Sequence, residues 1–350
     1  MDGPKTAIAM YGTQYYLEVS SAHGISSGSG WYDAGSPATA ILSTTMESSG
    51  PGARFLFVGW SDDASGTAPT SNPIVMDAAK VATAIWTTQY ELQVVTAYGE
   101  VSGQGWYDAG STAVARLALG VVPLTGGTRA AFVSWTGDAT GTDPLTSSPI
   151  PMNGPRSVGA SWRIEHELTI DTQGHGTAIG AGWYVSGSFA VATLNASIVG
   201  VSPGTRVAFA GWTGDATGTA ASGSDPILMA GPRTATAEWR TEYFLRVDSD
   251  IGVIQGTGWY LSQATVTIRA PAQMTSEGGT YQFAGWTGDR TSSDSSITIT
   301  MNGPTTVRAT WSSTASLGGL SAPGWGLLGL VVAAALAVVI FLRQRRVRRP

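Results

Sequence analysis

The sequence predicts an all-β chain, four tandem small antiparallel β domains followed by one C-terminal transmembrane helix. Three recurrences carry that reading. The pair Trp-Tyr falls at Trp31-Tyr32, Trp106-Tyr107, Trp183-Tyr184 and Trp259-Tyr260. A second tryptophan follows each time, in Gly59-Trp60-Ser61-Asp62, Trp135-Thr136-Gly137-Asp138, Trp212-Thr213-Gly214-Asp215 and Trp286-Thr287-Gly288-Asp289. A third closes each unit, at Trp86, Trp162, Trp239 and Trp311. A period of about 75 residues means an array of similar small units, not one large core. Only 12 % of the residues are charged while glycine numbers 46, which suits short strands and tight turns better than long surface helices.

Residues 1–11 read as the last strand of an earlier repeat. Met1-Asp2-Gly3-Pro4 matches Met152-Asn153-Gly154-Pro155 and Met301-Asn302-Gly303-Pro304 in the run-up to each closing strand. On that reading the chain is the C-terminal fragment of a longer surface protein. Four units follow, at 12–86, 87–162, 163–239 and 240–311. Each opens on an alternating segment: Tyr15, Leu17 and Val19; Tyr90, Leu92 and Val94; His166, Leu168 and Ile170; Tyr243, Leu245 and Val247. Period-two alternation with one apolar face is a half-buried strand. A glycine-rich turn comes next, as in Gly103-Gln104-Gly105, then a strand such as Ala113 to Leu119. The run Phe55 to Trp60 and its counterparts make another strand, and Val158, Ala160 and Trp162 alternate in the last.

Within each unit the tryptophans Trp60, Trp86, Trp106, Trp135, Trp162, Trp183, Trp212, Trp239, Trp259, Trp286 and Trp311 are expected in the core, each able to bury about 150–250 Å². Alternation puts Trp and Tyr of each pair on opposite faces. The tyrosines Tyr32, Tyr107, Tyr184 and Tyr260 are therefore expected outside, as candidates for surface contact.

Residues 312–323 are small and polar and read as a flexible linker. Residues 324–342 read as the transmembrane helix. Trp325 through Leu342 is uncharged, just long enough at about 1.5 Å per residue to cross roughly 30 Å of hydrocarbon. The tail at 343–350 carries Arg343, Arg345, Arg346, Arg348 and Arg349. Arginines beside one end of a span stay cytoplasmic, which places the repeats outside the cell membrane in a single-pass topology. Without those five arginines 14 basic residues face 24 acidic ones, so an acidic exterior disfavours nucleic acid as a partner.

The words Gly-Trp-Thr-Gly-Asp-Ala-Thr-Gly (211–218), Pro-Ile-x-Met-x-Gly-Pro (226–232) and Trp-Tyr-Asp-Ala-Gly (106–110) resemble the divergent internalin-type B repeats of bacterial and archaeal surface proteins. The resemblance implies a small, mostly antiparallel, grasp-like β domain strung in tandem outside the cell, and no single activity. The sequence departs from the pattern at Asp62-Asp63, and at Val185-Ser186 and Leu261-Ser262 where Asp-Ala is usual.

Candidate chemistry is sparse. Absence of cysteine removes disulfides, Cys-based zinc sites and thiol nucleophiles. The Asp of each Trp-turn reads as a turn residue bonding backbone amides. A calcium loop is the competing reading, with Asp138 joined by Asp143 and Asp215 by Asp225, though calcium wants six to eight oxygens. His23, His166 and His175 read as three different places in the repeat. No catalytic residue, organic cofactor or nucleotide motif is expected. Asn195-Ala196-Ser197 is a glycosylation acceptor sequence. The expected function is a membrane-anchored stalk or adhesion module that contacts an extracellular protein or a glycan. The alternative is the C-terminal stalk of a secreted hydrolase whose catalytic domain lies upstream of Met1.

Overall fold

A computed structural model describes residues 2–277 and 279–313, and all its regular elements are strands. The chain divides into two compact units. One holds residues up to Val199 together with Ala208–Trp239; the other holds Gly200–Val207 with the residues from Arg240 onward.

The first repeat shows how a unit is assembled. Strand Gln14–Ser21 pairs antiparallel with Gly30–Asp33, Gln14 facing Asp33. On its other edge it pairs parallel with the closing strand, Leu17 against Lys80 through Ser21 against Ala84. The hairpin of Met46–Gly50 and Ala53–Asp62 lies antiparallel beside that closing strand, with a bulge between Phe57 and Gly59. Two short ladders, Ser26–Ser27 with Ile41–Leu42 and Pro37–Ala38 with Ile74–Val75, contribute the other side of the core. The units are thus antiparallel except for one parallel pair, which joins each first strand to its closing strand. The same parallel pairing recurs at Leu92 to Thr96 with Arg156 to Ala160, Leu168 to Asp171 with Arg233 to Thr236, and Leu245 to Ser249 with Thr305 to Ala309.

Period-two patterning decides the core. Leu17, Leu92, Leu168 and Leu245 are fully or almost fully buried, as are Met76, Met152, Met229 and Met301. Each such side chain contributes about 1.5–3 kcal/mol by leaving water. Four separate clusters result, one per repeat, each built around Trp60, Trp135, Trp212 or Trp286. Ser71, Ser147 and Ser224 are buried beside these clusters, where each hydroxyl accepts from the amide of Ala40, Ala115 or Ala192. A loop that crosses the core thereby keeps its backbone satisfied.

The points where the sequence divides one repeat from the next fall inside single strands. Lys80–Thr96 closes the first repeat and opens the second, and Arg156–Asp171 and Arg233–Ser249 do the same farther on. No linker separates neighbours at 86, 162 or 239. Residues 2–11, read from sequence as a strand, form none here and are exposed. A strand needs a neighbour for its amides and carbonyls, and none lies beside them. The transmembrane helix expected at 324–342, most of the expected linker and the arginine tail lie outside the described residues. Among the described residues no helix is long and apolar enough to cross a membrane.

Candidate functional site

The Trp-Tyr pairs sit on the strand that flanks each opening strand, and their two rings do point to opposite faces. The assignment of faces from sequence is reversed. Tyr32, Tyr107, Tyr184 and Tyr260 pack against the cores, half-buried. Each hydroxyl donates to the carbonyl of the glycine four residues earlier, Gly28, Gly103, Gly180 or Gly256, at 2.7–2.9 Å. The backbone passes so close there that a Cβ on Gly103 would lie 2.1 Å from the carbonyl oxygen of Val114. Only glycine, at a φ of +96°, fits. A phenol has a polar tip that this carbonyl satisfies, so Tyr takes the inside.

The tryptophans of the pairs face away from their own cores. Trp106, Trp183 and Trp259 are half-buried beneath an arginine of the preceding repeat. The guanidinium of Arg54 lies 4.2 Å from the Trp106 ring centroid, Arg129 lies 4.2 Å from Trp183, and Arg206 lies 4.3 Å from Trp259. Trp31 has no such cover and is 65 % exposed. These four are therefore not core residues, unlike the other tryptophans among the described residues. Trp60, Trp135, Trp212 and Trp286 are buried. Trp86, Trp162, Trp239 and Trp311 are half-buried, and each indole N–H donates to Ser21, Thr96, the Thr172 carbonyl or Ser249.

Each arginine also holds a side chain on the shared long strand. Arg54 Nε donates to Gln89 Oε1 at 2.9 Å, and Gln89 Nε2 donates on to Asp108 Oδ1 at 2.9 Å. Arg54, Gln89 and Asp108 form one row across three strands. At the next junction Arg129 Nε donates to Glu165 Oε2 at 2.7 Å, and the third place in the row is Val185. At the last, Arg206 Nε donates to Glu242 Oε2 at 2.6 Å, with Leu261 in the third place. Each row keeps one carboxylate, in the third position where the middle residue is Gln and in the middle where the third is aliphatic. That explains why Asp-Ala is replaced after the later Trp-Tyr pairs. Burial works to raise the Glu165 pKa, but Arg129 and Arg163 outweigh it and hold the carboxyl below its ordinary value.

The tip of each of the first three hairpins locks into the following repeat. Gly52, Gly127 and Gly204 take φ of +67°, +68° and +73°. Their carbonyls accept from the amides of Glu91, Glu167 and Phe244 at 2.9 Å. A Cβ at these glycines would meet Pro155, Pro232 or Pro304 at 2.8–3.0 Å. One arrangement therefore recurs at three junctions: a Gly-x-Arg hairpin, an acidic or amide row, a tryptophan and a proline. The words Gly52-Ala53-Arg54, Gly127-Thr128-Arg129 and Gly204-Thr205-Arg206 were available in the sequence as its signal.

The calcium candidates are taken up by protein donors. Asp138 accepts from Arg156 Nη1 at 2.9 Å and the Ser157 amide at 2.7 Å; Asp215 accepts from Arg233 Nη1 and the Thr234 amide, both at 2.8 Å. Asp143 accepts from the Leu145 amide, and Asp225 from the Thr217 hydroxyl. A guanidinium stands beside Asp138 and Asp215, where a second carboxylate would be needed. Among the described residues no three His, Asp or Glu side chains converge as a metal site. Asp63, Asp138 and Asp215 titrate below their ordinary value, first because a backbone amide bonds each carboxylate.

His23 and His175 occupy the same place rather than different ones. Both meet the closing tryptophan of their own repeat edge-on, His23 on Trp86 at 5.6 Å and His175 on Trp239 at 5.8 Å, as Tyr98 does on Trp162. His166 is buried between Thr128 Oγ1 at 3.1 Å and Ser186 Oγ at 3.2 Å. Asn195 is exposed, its Oδ1 accepting from the Thr177 amide.

The sequence profile of the divergent InlB B-repeat domain matches residues 90–165, 166–242 and 245–315. The chain belongs to the divergent InlB B-repeat family. Residues 14–88 lie outside those matches, yet they repeat the strand pairings of the matched B-repeats. No curated protein matches the chain, and no solved structure does. The matched segments that start at 90 and 166 begin within the long shared strands, on residues that also pair with the hairpin of the preceding repeat.

Proposed function

We propose that this array of B-repeats is displayed on the cell surface, anchored through residues 324–342, and acts as a stalk and adhesion module without enzymatic activity. The recurring junction supports this reading most directly. Three times a shared strand and an arginine on a tryptophan hand one repeat to the next, so recurring residues serve the connection as well as the cores. Such a design transmits position and load between neighbours and leaves the outward surface free to vary. The parallel pair of first and closing strands accords with a grasp-like unit.

In this reading the five tail arginines hold the C-terminus in the cytoplasm. The partners are the membrane, through the helix, and an extracellular protein or a glycan at the repeat surface. No organic cofactor takes part, and calcium has no role in holding the repeats. External protease applied to intact cells that carry the full chain tests the display. Loss of the repeats from intact cells, with residues 343–350 still protected inside, is the expected result. Repeats that resist until the cells are lysed would overturn it.

A further inference from the structure

We propose that the open face of the first repeat, made by Ala7–Tyr15 and Trp31, is a docking site for the β-hairpin of another B-repeat that carries the Gly-x-Arg tip. Three filled examples of this site stand in the same chain, so its requirements are known residue by residue. Tyr15, Gln14, Asp33 and Trp31 match Tyr90, Gln89, Asp108 and Trp106 of the first junction in type and position. Gln14 Nε2 already donates to Asp33 Oδ1 at 3.0 Å, as Gln89 does to Asp108 at 2.9 Å. The missing member is the cation. Trp31 is 65 % exposed, and Tyr16 stands against its edge at 5.4 Å.

The side of residues 7–15 that would receive this hairpin also has no strand beside it. Residues 7–15 correspond to 82–90, the stretch that pairs antiparallel with Asp62 back to Ala53 in the first junction. Ala7, Ala9 and Tyr11 repeat the inward pattern of Ala82, Ala84 and Trp86, yet Ile8, Met10 and Tyr11 are 83–95 % exposed. An extended segment without a strand partner beside an uncovered tryptophan is a site for strand addition. The occupant is a hairpin with glycine at the left-handed turn and arginine two residues later, so that the guanidinium reaches Trp31 and Gln14 together. A second copy of this chain fits poorly. Its first three hairpins are already seated, and the fourth has Thr280 where the arginine belongs.

The test extends the full chain. Residues 87–151 are duplicated ahead of Met1, so that Met1–Tyr11 takes the place of Met152–Trp162 in the added repeat. Oxidative footprinting then reads Trp31. Its oxidation is expected to slow several-fold relative to the parent chain, and Arg129→Ala in the added repeat alone should restore most of the parent rate. A control carries the duplicate through Trp162, joined directly to Gly12. Unchanged oxidation of Trp31 would overturn the proposal. So would an added repeat that folds only in the control, since residues 5–11 would then be unable to close it. Protection of Trp31 in the parent chain, with dimers by light scattering, would assign the face to a second copy instead. The inference rests on the repeat array alone, so its failure is separate from any failure of surface display or adhesion.

Discussion

At the scale of single residues, the indole donors make a sharp comparison. Trp60, Trp135 and Trp212 donate to the carbonyls of Ala68, Asp143 and Ala220 at 2.8–3.1 Å. Trp286 Nε1 is buried and has no protein partner among the described residues. The loop from Trp286 to Met301 is the shortest of the four. Replacing Trp135 by Phe loses both volume and a hydrogen bond; replacing Trp286 by Phe loses volume and relieves an unmet donor. Trp135→Phe should therefore destabilise its repeat by about 1–2 kcal/mol more than Trp286→Phe does. Denaturant-dependent hydrogen exchange at each core would show it, and equal effects would contradict the account. The carboxylates give a pH prediction. Asp138 and Asp215 have folded pKa values below the ordinary 3.8. Their contribution is present above the unfolded value and is lost as pH falls through the folded one. Both are partly exposed, so each is worth less than about 1 kcal/mol. Asp138→Asn should lower the stability of the second repeat at pH 7 and leave it nearly unchanged well below pH 3.8, read by thermal melting at the two pH values.

Residue identity told part of this in advance. The recurrent tryptophans and the alternating Leu positions are visible because burial demands large apolar side chains at fixed spacing. Alternation also shows that Trp and Tyr of a pair face opposite ways. It cannot say which side is inside, because that depends on Gly28, Gly103, Gly180 and Gly256 bringing a carbonyl to the inner face. Two neighbours at different depths in sequence decide the matter.

At the scale of elements, the hairpin tip and the long strand form the working unit. Gly127 needs a left-handed φ of +68°, and a Cβ there would meet Pro232 at 3.0 Å. Gly127→Ala adds a backbone cost of about 1–2 kcal/mol to that contact. The Glu167 amide, bonded to the Gly127 carbonyl, should then exchange with solvent tens of times faster, while the Leu92 core of the second repeat keeps its protection. Arg129→Ala removes the cation from Trp183 and leaves Glu165, whose side chain is 5 % exposed, with Arg163 alone. A loss of about 2 kcal/mol at this junction is expected, smaller than for a wholly unpaired buried carboxylate because Arg163 remains. Arg129→Lys should recover little of it, since an ammonium cannot both bond the carboxylate and lie flat on the indole. Local exchange rates at 163–168 would measure both. Dividing the sequence at each closing tryptophan located the repeats, but it cut through the strands that join them. The period-two pattern simply continues across 86, 162 and 239, so nothing in it marks a boundary. The signal that would have found the junction is Gly-x-Arg, six residues before each buried tryptophan at the first three repeats and absent from the fourth.

At the scale of the whole molecule, the junction and the anchor answer different questions and fail separately. The apolar run and the arginines stand out in the sequence because a bilayer would impose one length and one sign of charge. A partner was not legible, since a surface that binds need not repeat. If residues 324–342 anchor the chain, ending it at Ser313 should move the repeats from the membrane pellet to the soluble fraction, with their exchange protection unchanged. Persistence in the pellet after high salt and carbonate washing would mean that the repeats themselves hold the membrane. Changing Arg343, Arg345, Arg346, Arg348 and Arg349 together to Glu leaves the apolar run intact and removes the basic flank. The span should still insert, but a rising fraction of chains should present the repeats on the cytoplasmic side, because flanking Lys and Arg set orientation. External protease distinguishes the two populations on intact cells. An unaltered orientation would show that the repeats are carried across by a signal other than this tail, and the charge argument for the topology would fall while the junction argument stood.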